Sequence, residues 1–155
     1  MAQKPAVELY RRVIEAWNDR NAENLAAPFS DAGSIVGFDG TVINGRAAIK
    51  AHLIPIFNGH ATPVYICKIR EVRPLGERAA LLRAIAGMIP RAKTDIDPDL
   101  NAIQTIVAAR HGPDWQIEMF HNTPAAFHDR PQEAEALNAE LRGVLKSGKL
   151  ILGAE

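Results

Sequence analysis

The sequence predicts an α+β fold, in which an antiparallel sheet wraps on helices gathered at the front of the chain and one more helix follows. Three observations carry this. Val7, Tyr10, Ile14 and Trp17 recur at three- and four-residue spacing, the mark of an amphipathic helix. From Pro63 onward the texture changes to long alternating or continuously apolar runs joined by short connections, the mark of consecutive strands. A separate stretch opened by Pro131 returns to helical spacing through Leu137, Leu141 and Val144.

In chain order, Pro5 suits the first turn of a helix over 5–19. Asn21 can cap a short second helix over 22–27, which Pro28 ends. A strand over 31–38 follows, with Ser34, Val36 and Phe38 on one side. Asp39-Gly40 turns it into a short partner over 41–43. After the turn Asn44-Gly45 comes a third helix with Ile49, Leu53, Ile56 and Phe57 on one face, which Pro55 should kink or end late. Four long strands are then expected over 64–72, 78–89, 100–110 and 115–123. The second of them is apolar on both parities and so is expected to be covered on both faces. Pro131 and Glu133 start the last helix and Ser147-Gly148 stops it. Its apolar face needs a cover, either this domain or a second subunit.

Composition narrows the function. A chain of 155 residues, 47% hydrophobic and 23% charged, suits one globular domain. Lys+Arg and Asp+Glu are both 18, so there is no basic field for a polyphosphate and no nucleic-acid partner is expected. Cys67 is the single cysteine, so no intrachain disulfide forms and a reducing compartment is the default. MAQKPAVELYRR contains no apolar signal segment, and the most apolar run, 79–90, is interrupted by Arg83 and too short to span a bilayer. The expectation is a cytoplasmic protein with no membrane partner.

The stretch WQIEMFHNT (115–123) concentrates the candidate chemistry. Trp115, Ile117, Met119 and His121 share one parity, so His121 is expected to point inward with the apolar set. It reads either as a core histidine held by one hydrogen bond or as an acid or base near neutral pH. Arg83 between Leu81 and Ile85 is either an ion pair or a clamp for an acidic group. Gln104 between Ala102 and Ile106 either bridges the sheet or orients a carbonyl. Asp39 reads as a solvated turn aspartate, His52 as a surface or packing histidine, and Cys67 as a buried inert thiol. The five histidines lack paired ligand spacing. Asp95-x-Asp97-x-Asp99 has Leu100 and Ile106 where a calcium loop needs Gly and Glu. No metal and no organic cofactor is expected.

Several short signatures occur in a fixed order: Trp17-Asn18-Asp19-Arg20-Asn21 with Leu25-Ala26 and Phe29; Asp39-Gly40 with Gly45-Arg46-Ala47-Ala48-Ile49; Gln104; Asp114-Trp115-Gln116-Ile117; and His121-Asn122-Thr123-Pro124. Over about residues 5–125 the chain resembles the nuclear-transport-factor-2-like superfamily, within it the SgcJ/EcaC group of SnoaL-like proteins. The resemblance implies a cystatin-like cone, a strongly curved antiparallel sheet closed at one end by helices, spanning 1–128. A helical extension over 129–155 follows. It also implies an apolar small molecule as partner and a homodimer formed through the sheet. Relatives include ketosteroid isomerase, scytalone dehydratase, limonene-epoxide hydrolase and polyketide cyclases, while others only bind or scaffold. The implied function is a pocket for an apolar, polycyclic or polyketide-like molecule. Either it runs a cofactor-independent isomerisation, cyclisation or dehydration by proton transfer, or it binds or associates without catalysis. In the catalytic reading His121 is the acid or base, Arg83 and Gln104 orient the substrate, and Trp17, Phe38 and Met119 line the wall. No aspartate base of the isomerase or the cyclases is matched by a residue here.

Overall fold

Helix α1 (Gln3–Asn18) turns Ala6, Leu9, Tyr10, Val13 and Ile14 inward, as the spacing predicts. In the computed structural model, which describes residues 3–153, that face crosses the inner side of a curved seven-stranded sheet. Asn21 accepts a hydrogen bond from the Asn24 amide at 2.9 Å and so caps α2 (Ala22–Ala26). Helix α3 (Arg46–Gly59) buries Ile49, Leu53 and Phe57. It runs on past Pro55 for four residues, because Ala51 and Pro55 lie on the exposed side, where water can take the carbonyl that a proline leaves unbonded.

The strands are β1 (Phe29–Val36), β2 (Val42–Asn44), β3 (Val64–Pro74), β4 (Ala79–Ile89), β5 (Ala102–His111), β6 (Asp114–Pro124) and β7 (Ile151–Leu152). Their spatial order is β2-β1-β6-β5-β4-β3-β7. The consecutive pairs β1–β2, β3–β4, β4–β5 and β5–β6 are antiparallel, as strands joined without a crossover must be. β1 against β6 and β7 against β3 are parallel, so the sheet is mixed where the sequence predicts an antiparallel one. Those two pairs join strands far apart in the chain, whose relative direction no hairpin fixes.

Gly45 and Arg46 explain their short signature. Gly45 adopts φ 99°, open to glycine, and the Arg46 guanidinium donates to the Phe29 carbonyl at 3.0 Å, tying the start of α3 to β1. Gly33 sits where β1 meets β6. A Cβ there would fall 2.6 Å from the Ile117 carbonyl oxygen.

One irregularity decides the faces of β6. Val107 pairs with Met119, but Ala108 pairs with Ile117, so Glu118 is an extra residue, a β-bulge. Residues on either side of it that share parity therefore face opposite sides. Ile117, Phe120 and Asn122 face the helices, while Met119 and His121 face out beside Val107 and Thr105.

The C-terminal helix α4 (Pro131–Ser147) covers the outer side of β3 and β4. Leu137, Leu141 and Val144 pack there on Ile66, Ile85 and Ile89. Gly87 leaves room for Leu141. Glu140 fastens the helix to Lys68 at 3.1 Å and to Arg70. The last helix is thus covered by its own domain. Among the described residues, no helix is long and apolar enough to cross a membrane.

Substituting Gly33→Ala is expected to push β1 off β6. Urea unfolding should show a loss of about 1–3 kcal/mol, the usual range for forcing a methyl into a filled space; an unchanged midpoint would refute the close approach.

Candidate functional site

Helices α1 to α3 do not fill the space under the sheet. A cavity of about 480 Å³ remains, with Val13, Ile14, Leu53, Ile56, Ile35 and Phe120 among its apolar lining. Its size suits a drug-sized organic molecule. Trp17 forms one wall and is held rigidly: the indole N–H donates to the Pro63 carbonyl at 2.8 Å, and the ring meets Phe57 edge-on at 5.2 Å. Phe38, one residue beyond the Gly37 that follows β1, also lines the cavity, together with Asp39, Thr41 and Ile43. No lysine or arginine does among the described residues.

The polar groups of the wall fall into two sets. At the β1–β2 turn, Asp39 accepts from the Thr41 amide at 2.9 Å. That bond holds its carboxyl below the usual range, with a smaller contribution from the charge of nearby His52. His52 reaches the wall from α3. On the sheet, Tyr65 of β3 and Asn122 of β6 face the cavity, and the Asn122 amide donates to the Tyr65 oxygen at 3.3 Å. Behind them lies Gln104, fully buried, which donates to Asn122 at 3.2 Å and accepts from the Tyr10 hydroxyl at 2.6 Å.

Burial raises the pKa values of Tyr10 and Tyr65 above the ordinary phenol value, although the amides of Asn122 and Gln104 draw Tyr65 back a little. Burial also pushes the Cys67 thiol up to about 12. Cys67 is a protonated filler beside Tyr10, without the positive surroundings that activate a thiol.

Of the residues singled out in the sequence, Trp17 and Phe38 lie on the cavity wall and Gln104 lies one layer behind it. Met119 and His121 lie on the outer face, contrary to the inward parity expected of them, because the bulge at Glu118 reverses the strand's alternation. Arg83 is also outside, paired with Glu71 across β3 and β4, so no acidic ligand group in the cavity can reach it. Asn122, the neighbour of His121 on β6, lines the cavity in its place. Sequence reasoning passed over Tyr65. The available signal was a tyrosine sharing parity with Cys67 inside an apolar strand, since a buried phenol needs a polar partner. Among the described residues no group of three or more His, Cys, Asp or Glu side chains is placed to hold a metal.

The SnoaL-like domain model matches residues 7–126. Among solved structures, the chain is similar to a domain of unknown function with a cystatin-like fold from Nostoc punctiforme PCC 73102. That match has 24% identity and a TM-score of 0.77, covering 94% of this chain and 97% of that one. A candidate calcium/calmodulin-dependent protein kinase type II association domain from Thiobacillus denitrificans ATCC 25259 is 17% identical. It has a TM-score of 0.66 and covers 75% of this chain and 91% of that one. A candidate scytalone dehydratase from Novosphingobium aromaticivorans DSM 12444 is 18% identical. It has a TM-score of 0.63 and covers 78% of this chain and 82% of that one. Among curated proteins, none matches the chain.

The buried acids carry a pH signature. Cys67, Tyr65 and Tyr10 stay protonated in the folded chain above their ordinary values of 9.0, 10.0 and 10.0, whereas the unfolded chain ionises there. The native state then holds more protons than the unfolded one, so stability falls as pH rises. The slope approaches about 1.4 kcal/mol per pH unit for each group in play. Denaturant titrations should show the decline beginning near pH 9, and Cys67→Ala should delay its onset toward pH 10. A flat profile to pH 11 would contradict the assignment.

Proposed function

The chain belongs to the SnoaL-like domain family, and on that footing we propose that it takes up one apolar small molecule beneath its curved sheet. One observation carries the proposal: a cavity of about 480 Å³ walled by aliphatic and aromatic side chains, into which a few polar groups converge. Apolar walls supply affinity by removing ligand surface from water, and sparse polar groups supply orientation. The reaction class this wall suits is proton transfer without metal or organic cofactor: isomerisation, cyclisation or dehydration of a polycyclic or polyketide-like molecule. A solved structure of the same fold carries the name of a dehydratase, in keeping with that class. The acid–base role expected of His121 passes in this proposal to His52, whose imidazole stands on the wall near Asp39.

A second observation favours assembly. The outer side of β4 to β6, beyond the reach of α4, carries half-buried Leu81, Val107 and Met119 in adjoining register. In this reading two chains pack back to back through that face and form a homodimer. The name of the Thiobacillus neighbour, an association domain, is in keeping with it.

Two measurements test these readings. The neutral dye N-phenyl-1-naphthylamine should bind one per chain with enhanced, blue-shifted emission. Ile43→Trp, which fills the cavity from β2, should weaken binding at least about tenfold at a nearly unchanged melting temperature; no uptake by the parent protein sinks the cavity reading. Sedimentation equilibrium should give twice the chain mass of 16.9 kDa, and Val107→Glu, placing a charge on the shared face, should give the single mass. A parent protein that sediments as one chain sinks the dimer.

A further inference from the structure

We propose that the Tyr65 hydroxyl is a donor reserved for a neutral carbonyl oxygen of the bound molecule, which makes the ligand an apolar ketone, enone or quinone. The proposal rests on the reading that the cavity takes up a small molecule. It starts from the direction of a chain of hydrogen bonds. Tyr10 donates to the Gln104 oxygen at 2.6 Å, the Gln104 amide donates to the Asn122 oxygen at 3.2 Å, and the Asn122 amide donates to the Tyr65 oxygen at 3.3 Å. Every member donates to the next, so the Tyr65 oxygen is already an acceptor. Its own proton makes no hydrogen bond to another described residue. Tyr65 is 8% exposed, and its side chain lines the cavity. A donor left unpaired in an apolar enclosure is costly and calls for an acceptor from outside the chain.

The neighbourhood says what kind of acceptor. A carboxylate would enter a wall without lysine or arginine that already holds the Asp39 carboxylate, which His52 faces, so its charge would be repelled and poorly compensated. An alcohol could accept from Tyr65 but would then have to place its own proton, on a wall where the Asn122 oxygen already accepts from Gln104 and the Asp39 carboxylate from the Thr41 amide. A carbonyl has lone pairs and no proton to place, so it is the group that completes the chain. Bonds aligned in one direction polarise one another, which makes the last O–H a stronger donor than an isolated phenol. That phenol is protonated at neutral pH, and burial raises its pKa further. Gln104, Asn122 and Tyr10 are positioning residues in this arrangement.

The test uses two probes of matched shape, 2-acetylnaphthalene and 2-ethylnaphthalene. Titration of each into the parent protein and into Tyr65→Phe gives four dissociation constants. The preference for the ketone should fall roughly three- to tenfold in the variant, the worth of one neutral hydrogen bond. Binding of the hydrocarbon should hold, showing that the variant is folded. Isotope-edited infrared difference spectra of the bound ketone should show its carbonyl stretch lowered in the parent protein. The stretch should return toward its position in hexane in Tyr65→Phe and be partly restored to it in Tyr10→Phe, where the relay is cut. If ketone and hydrocarbon change alike and the stretch is the same in all three proteins, the donor assignment falls while the cavity reading stands. If neither naphthalene binds the parent protein, the cavity reading falls and takes this proposal with it.

Discussion

Strand β6 lies between β1 and β5 and must satisfy both neighbours while giving the helices something to pack on. It carries one residue more than β5 can pair, Glu118, and this surplus permits Ile117 to face inward on one side of the bulge and Phe120 and Asn122 on the other. Without the surplus, strict alternation from Ile117 would send His121 toward the helices and turn Phe120 and Asn122 out. The apolar cavity, the amide beneath it and the pattern of the outer face all depend on that break in register.

The second constraint is Gln104. A primary amide in the middle of a sheet face whose neighbours are Ala102, Ile106 and Ala84 must find partners or destabilise the domain. It finds Tyr10 on the helix that crosses the sheet and Asn122 on the next strand. The bonds that satisfy a buried group thereby fix α1 against β5 and β6. The same residues hold the fold together and set the polarity of the cavity wall, so substitutions at Gln104 should not be read as purely structural or purely functional.

Most elements were legible from periodicity and turn residues, because helix α1, the Asp39-Gly40 turn and the run of long strands each obey one local rule. What could not be read was non-local. The parallel pairing of β1 with β6 joins residues such as Ile35 and Phe120, and no spacing encodes it. The bulge at Glu118 arises from a mismatch between two strands, so alternation within β6 alone misassigned Met119 and His121. Pairing also explains Arg83: its partner Glu71 lies on a different strand, at a position shifted by the extra residue Arg70. Gln104 stood out because it is a polar residue amid apolar neighbours, and Trp17 because it is a large aromatic on the apolar face of the first helix. Tyr65 obeyed the logic of Gln104, a polar group inside an apolar strand, yet reads in sequence as one more good strand former.

The C-terminal tail separates two boundaries that usually coincide. The segment matched by the family model spans 7–126, but β3 pairs on its far side with Ile151 and Leu152, and Ile66 and Ile85 take much of their cover from Leu137, Leu141 and Val144 of α4. A chain cut at the end of the shared segment would carry an open strand edge beside a bare apolar strip, the combination from which sheet proteins polymerise. The matched segment is thus shorter than the unit that covers its own apolar surface, and any transplant, fusion or minimal version of this domain has to be drawn around the tail as well.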